Sequence, residues 1–168
     1  MATIELYLVR HAIAAERGPK YPDDRERPLT PAGARKFGDS VSGLVEMDAT
    51  IDFVLTSPLV RAHETAVLLA NGLKPKPGVV EVEALAPGGR HVAIVEAIKT
   101  HAKRHRRLAL VGHEPDLGEL AARLLAARGN FEFKKGGVCL IEVDTATPGG
   151  PGTLRWFLTP KALRALAP

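Results

Sequence analysis

A three-layer α/β/α domain with a largely parallel central sheet is the fold class this sequence predicts, and three observations predict it. Short apolar runs of strand length alternate along the chain with longer segments of helical periodicity. Three of those runs end abruptly at Arg10-His11, at Ser57-Pro58 and at Gly112-His113. Two of the intervening segments open with a hydroxyl side chain before proline, the signature of a helix start.

The elements follow in order. Ile4-Glu5-Leu6-Tyr7-Leu8-Val9 reads as a buried strand. A polar loop rich in Pro, Asp and Arg leads to Thr30-Pro31, which predicts an N-cap, proline at the first helical position and a helix running towards Met47. Residues 52–56 form a second strand, and Ser57-Pro58 is expected to cap and open a helix through Ala70. Residues 79–82 predict a short strand, 90–102 a helix and 107–111 another apolar strand. After Pro115, Leu117, Leu120, Ala121, Leu124 and Leu125 recur on one helical face. Residues 138–143 and 154–158 are late strands separated by Pro148-Gly149-Gly150-Pro151-Gly152, and they are expected to pair as a hairpin at a sheet edge before a short helical tail. With no repeat and no dividing linker, residues 1–168 are expected to form a single domain.

Composition narrows the function classes. No stretch approaches the ~20 apolar residues of a membrane span, and Met1-Ala2-Thr3-Ile4-Glu5 lacks the basic start and apolar core of a secretory signal. A cytoplasmic protein is the expectation. The single cysteine, Cys139, lies in an apolar run, has no partner for a disulfide or metal site, and reads as a core thiol. The net charge of +4 suits anionic partners. The basic run Lys103-Arg104-His105-Arg106-Arg107 carries no interleaved aromatics, so it reads as a solvated helix end and not as a nucleic-acid platform.

In a parallel sheet the reactive site lies beyond the carboxyl ends of the strands. There this chain places Arg10-His11, Ser57 leading to Arg61, and Gly112-His113. One histidine at a strand end is commonly structural, but two histidines and two arginines at one pole repel each other and imply an anionic ligand. The basic run at 103–107 precedes its strand and belongs at the opposite pole.

Leu8-Val9-Arg10-His11-Ala12 resembles the Arg-His-Gly signature of the histidine phosphatase superfamily, with Ala in the third place. Ser57-Pro58-Leu59-Val60-Arg61-Ala62-His63-Glu64-Thr65-Ala66 is similar to its Ser-Pro and Arg-Ala-x-x-Thr motif, and Gly112-His113-Glu114-Pro115 to its Gly-His motif. Arg27-Pro28-Leu29-Thr30-Pro31-Ala32-Gly33 resembles the stretch before that family's first helix. The nearest likeness is to the short phosphohistidine phosphatase (SixA-type) branch, with a phosphoglycerate mutase-like fold. The resemblance implies that His11 is the nucleophile and that Arg10, Arg61 and His113 hold the phosphoryl group, without cofactor or metal.

The residue chemistry agrees with those roles. A neutral imidazole attacks through one nitrogen when the other N–H is fixed by a carbonyl, and planar guanidinium forks fit phosphoryl oxygens. A protonated His113 would add a donor and a positive charge. The chain has no grouped carboxylates of the kind that hold Mg²⁺. Arg27 is expected either at the pocket rim or as a surface arginine. His63, His91, His101 and His105 are expected outside the chemistry, the last three at the surface. Larger members of the family carry a glutamate that protonates the leaving group; here Glu83 and Glu114 are the two candidates, and neither is fixed by spacing. Phosphorylated imidazole can bring its own proton, whereas an alkoxide cannot, so an open site with no secure acid suits phosphohistidine on a protein, with small phosphate esters as the alternative. A non-catalytic anion-binding or nucleic-acid-binding module ranks below both.

Overall fold

The computed structural model describes residues 2–168. Six strands form one sheet: β1 (Thr3–Arg10), β2 (Phe53–Thr56), β3 (Gly78–Glu81), β4 (Arg107–Gly112), β5 (Val138–Asp144) and β6 (Thr153–Leu158), in the spatial order β3-β2-β4-β1-β5-β6. The first four of that order run parallel, and β5 and β6 complete the sheet as the expected antiparallel hairpin.

Strand alternation builds the two cores. Ile4, Leu6 and Leu8 of β1, with Leu108 and Leu110 of β4, face α3 (His91–Ala102) and α4 (Asp116–Leu124), where Ile94, Ile98, Leu117, Leu120 and Leu124 close the layer. Tyr7 and Val9, with Ala109 and Val111, face the other way. They pack on α1 (Pro31–Glu46), α2 (Val60–Asn71) and α5 (Pro160–Leu166) through Phe37, Leu44, Ala66, Leu69 and Leu163. The three-layer expectation therefore holds. Cys139 lies in the first core, fully buried, and burial pushes its thiol up to about 12. Among the described residues no helix is long and apolar enough to cross a membrane.

Local chemistry sets the helix ends. Thr30 caps α1, its Oγ1 accepting from Gly33 N at 2.9 Å, with Pro31 in the first turn as expected. A Cβ on Gly33 would collide with the Ile13 carbonyl, the same carbonyl that accepts from Thr30 N at 3.0 Å. Gly33 therefore lets the chain just past His11 lie against the start of α1. The second helix start needs correction. α2 begins at Val60, and its N-cap Leu59 is extended (φ −62°, ψ 138°), so Ser57 and Pro58 lie outside it. Ser57 Oγ instead accepts from Leu59 N at 3.2 Å and meets His113 Nε2 at 2.7 Å. The hydroxyl is recruited by the site and is lost as a cap.

His101 and His105 also depart from surface placement. Both rings are half-buried and stack on Phe53, with centroids 5.3 and 4.7 Å away. His91 is likewise half-buried.

Candidate active site

Sheet register brings the strand ends level. Arg10 of β1 pairs with Gly112 of β4, so His11 and His113 are each one residue beyond a matched pair, and His11 N donates to Gly112 O at 3.0 Å. Ser57 N donates to Val111 O at 2.9 Å, which brings the end of β2 to the same level. The His11 and His113 rings consequently lie 5.1 Å apart. Together with Arg10, Arg61 and Arg27 they line one cleft of about 420 Å³.

The environment of His11 defines its chemistry. Its Nδ1 lies 2.7 Å from the Ala12 carbonyl. A carbonyl oxygen can only accept, so Nδ1 carries the hydrogen and, in the neutral ring, Nε2 holds the free lone pair. Burial lowers its pKa to about 4, and Arg61, Arg10 and Lys135 push the same way against the Ala12 hydrogen bond. The ring is therefore neutral at ordinary pH, with an unprotonated Nε2. Ala12 is itself held, its N–H donating to Thr65 Oγ1 at 3.0 Å while Thr65 donates to Arg61 O at 2.7 Å. One threonine of α2 thus fixes both the backbone that orients His11 and the turn that carries Arg61.

His113 differs from expectation in charge. Burial, then the neighbouring His11 and Arg61, lower its pKa to about 3, so it is neutral in the ligand-free site. Its Nδ1 is buried without a partner. Ser57 Oγ accepts from Leu59 N, and its own hydrogen can be donated to His113 Nε2; in that tautomer Nδ1 carries a hydrogen that no protein group takes up.

The arginines are partly tied and partly free. Arg10 donates from Nη1 to Phe133 O at 2.6 Å, and its Nε has no partner. Arg61, 3 % exposed, donates from Nη1 to Asp24 O at 2.7 Å and from Nη2 to Asp24 Oδ2 at 3.0 Å, and its Nε is also unpartnered. Arg27 proves to be at the rim: its Nε meets Asp24 Oδ1 at 2.8 Å and its Nη1 donates to Ala15 O at 2.6 Å. Desolvation lowers the pKa of both Arg10 and Arg61, against the opposing pull of Glu114 and of Asp24 respectively.

The acid candidates separate. Glu83 opens a short 3-10 turn, its side chain is 73 % exposed and pairs with Arg25 at 3.4 Å, and it does not line the cleft. Glu114 does line it, and also a neighbouring groove of about 540 Å³ that shares Arg10 with the cleft. Burial raises the Glu114 pKa, although Gly118 N donates to Oε1 at 2.7 Å. His63 points elsewhere, 3.2 Å from Glu81. Among the described residues no group of His, Cys, Asp and Glu is arranged to hold a metal ion.

Sequence reading missed four charged contributors to the cleft: Asp24, Glu16, Arg17 and Lys135. Asp24 and Arg27 form an i, i+3 pair across a 3-10 turn (Asp24–Glu26), a spacing that was available as a signal. For Arg17 and Lys135 no local signal existed.

The family model described as histidine phosphatase superfamily (branch 1) matches residues 6–86. The chain is 37 % identical over 139 residues to an uncharacterized protein of Picosynechococcus sp., which covers 80 % of this chain and 82 % of that one. Among solved structures, the protein histidine phosphatase SixA complexed with tungstate matches with a TM-score of 0.84 at 23 % identity, covering 95 % of this chain and 99 % of that one. The α-ribazole phosphatase from Shigella flexneri matches at 0.67 with 17 % identity, covering 94 % and 97 %. The architecture is phosphoglycerate mutase-like.

Proposed function

The chain belongs to the histidine phosphatase superfamily, and from that premise we propose that it is a metal-independent phosphatase that removes phosphoryl groups from phosphohistidine on a protein. The observation that carries this reading is the His11 ring, neutral and locked by Ala12 O so that Nε2 is the nucleophile among unsatisfied cationic donors.

The reaction takes two displacements. Nε2 of His11 bonds to phosphorus as the bond to the leaving nitrogen breaks; that departing imidazole, protonated on its other nitrogen, leaves neutral. Arg10, Arg61 and the Nδ1–H of His113 receive the equatorial oxygens of the transferring group. A water then attacks the phospho-His11, releasing phosphate with the water's proton going to product or solvent, and returning the Nε2 lone pair. The hydrogen stays on Nδ1, donated to Ala12 O, throughout.

Structural likeness to SixA supports the phosphohistidine reading. Likeness to the α-ribazole phosphatase, together with Glu114 in the cleft, favours a second reading, a phosphatase of small esters in which Glu114 protonates the leaving oxygen. A side-by-side assay separates them. Preferred turnover of a phosphohistidine peptide over alkyl and sugar phosphates is expected, with Glu114→Gln changing the peptide rate by less than about threefold. Efficient alkyl ester turnover that drops on the order of 10²-fold in Glu114→Gln would select the second reading.

A further inference from the structure

Asp24 is a carboxylate in a site built for anions. It lies on the short turn before α1, lines the cleft with His11 and His113, and is 42 % exposed at its side chain. Its Oδ1 faces Arg27 Nε at 2.8 Å and Arg17 Nε at 3.2 Å, and its Oδ2 faces Arg61 Nη2 at 3.0 Å. One carboxylate therefore joins cations from three segments: the loop after His11, its own turn, and α2.

Two roles fit a carboxylate so placed, and they have opposite signs. As an internal plug, Asp24 would occupy donors that phosphate needs and weaken binding. As a support, it would hold the guanidinium and leave its ligand-facing donors free. The donor count decides. Guanidinium has five N–H groups. Asp24 takes two of Arg61's, both at the end-on edge formed by Nη1 and Nη2, through its backbone carbonyl and Oδ2. The Nε–H is buried and unpartnered, and with the second hydrogen of Nη2 it forms the side-on edge, whose shape suits two oxygens of a phosphoryl group.

We propose that Asp24 is a positioning residue: it grips Arg61 end-on so that the Nε–Nη2 edge is presented to the phosphoryl group, and it separates Arg61 from the like charges of Arg27 and Arg17. This rests on the phosphatase reading for its consequence in turnover, but not for its consequence in anion binding. Holding a guanidinium in place matters most where charge is distributed at the transition state, since a small misplacement of a donor costs rate more than ground-state affinity.

The test uses the full-length protein, with inorganic phosphate as the binding probe and an aryl phosphate as substrate. Asp24→Asn should lower kcat by about 10-fold or more while phosphate affinity falls less, and Asp24→Glu should recover part of the loss. In ¹⁵N NMR of the native protein, the Arg61 Nε–H resonance, assigned by its absence in Arg61→Lys, should shift on adding phosphate; in Asp24→Asn it should broaden. Tighter phosphate binding with undiminished kcat/KM in Asp24→Asn would establish the plug and overturn the proposal. An Arg61 Nε–H signal indifferent to phosphate in the native protein would also overturn it. Should the native protein bind phosphate with the expected Asp24 dependence yet turn over no phosphorylated substrate, the phosphatase reading fails and the positioning role stands.

Discussion

Arg61 and Arg107 lie at opposite ends of the same sheet and use the same side chain in opposite ways. At the amino end, Arg107 opens β4 and is satisfied: Nε and Nη2 reach Asp52 Oδ1 at 3.0 and 2.6 Å, Nη1 reaches Thr50 Oγ1 at 2.6 Å, and Asp52 raises its pKa. Asp52 Oδ2 also accepts from Arg106 N and Arg107 N, both at 2.9 Å, so this pair pins the entry of β4 to the entry of β2. At the carboxyl end, Arg61 is more buried, is only partly satisfied, and its pKa is lowered by desolvation. A satisfied arginine is structure. A buried, half-satisfied one stores electrostatic potential for a ligand.

The sharpest way to break this contrast is to remove each guanidinium in turn. Arg61→Ala should cut turnover by on the order of 10²–10³-fold, the usual cost of losing a donor to transition-state charge. Arg107→Ala should leave kcat within about twofold and lower stability by about 1 kcal/mol, because its pair is half exposed. Equal losses of activity from the two variants would show that the sheet ends are not chemically distinct.

A second difference between the ends is their response to acid. His11 and His113 are neutral in the fold, with pKa values near 4 and 3 against an ordinary 6.5. Below pH 6.5 the unfolded chain takes up protons that these buried rings refuse, so folding stability should fall as pH drops from 6.5 towards 4. His11 alone contributes on the order of 3 kcal/mol to that loss. Denaturant titrations at pH 7 and pH 4.5 check this; His11→Ala should shrink the difference to the share left by His113, and an unchanged slope would contradict the burial of a neutral ring. The paired, lowered carboxylate of Asp52 should add to the loss only as pH falls through the ordinary Asp value of about 3.9 and on towards its own lower pKa.

The smallest expected effect concerns metal. Dialysis against EDTA should change turnover by less than about twofold, since the charge at the carboxyl end comes from arginine. Loss of activity restored by Mg²⁺ or Zn²⁺ would assign that charge elsewhere.

The residues that decided this contrast were unequally legible. Strand-end histidines could be read because each sits one residue past an apolar run, and the parallel sheet then aligns the ends. Thr30-Pro31 was legible as a helix start because its signal is local. Ser57-Pro58 misled because the hydroxyl answers to His113, 56 residues away, and so does not cap α2. Lys135 was invisible for the same reason, since a loop with no period of its own brings it to the cleft, and Asp24 left only its i, i+3 spacing to Arg27 as a trace. The neutral state of His113 was unreadable, since it follows from burial that only the finished packing supplies.

The central claim is that phosphorus is transferred to Nε2 of His11. Rapid quench of the native protein with ³²P-labelled substrate, followed by peptide mapping, should find label on His11 in an acid-labile, base-stable linkage, and none in His11→Ala. Native turnover with no labelled histidine, or turnover undiminished in His11→Ala, would contradict it.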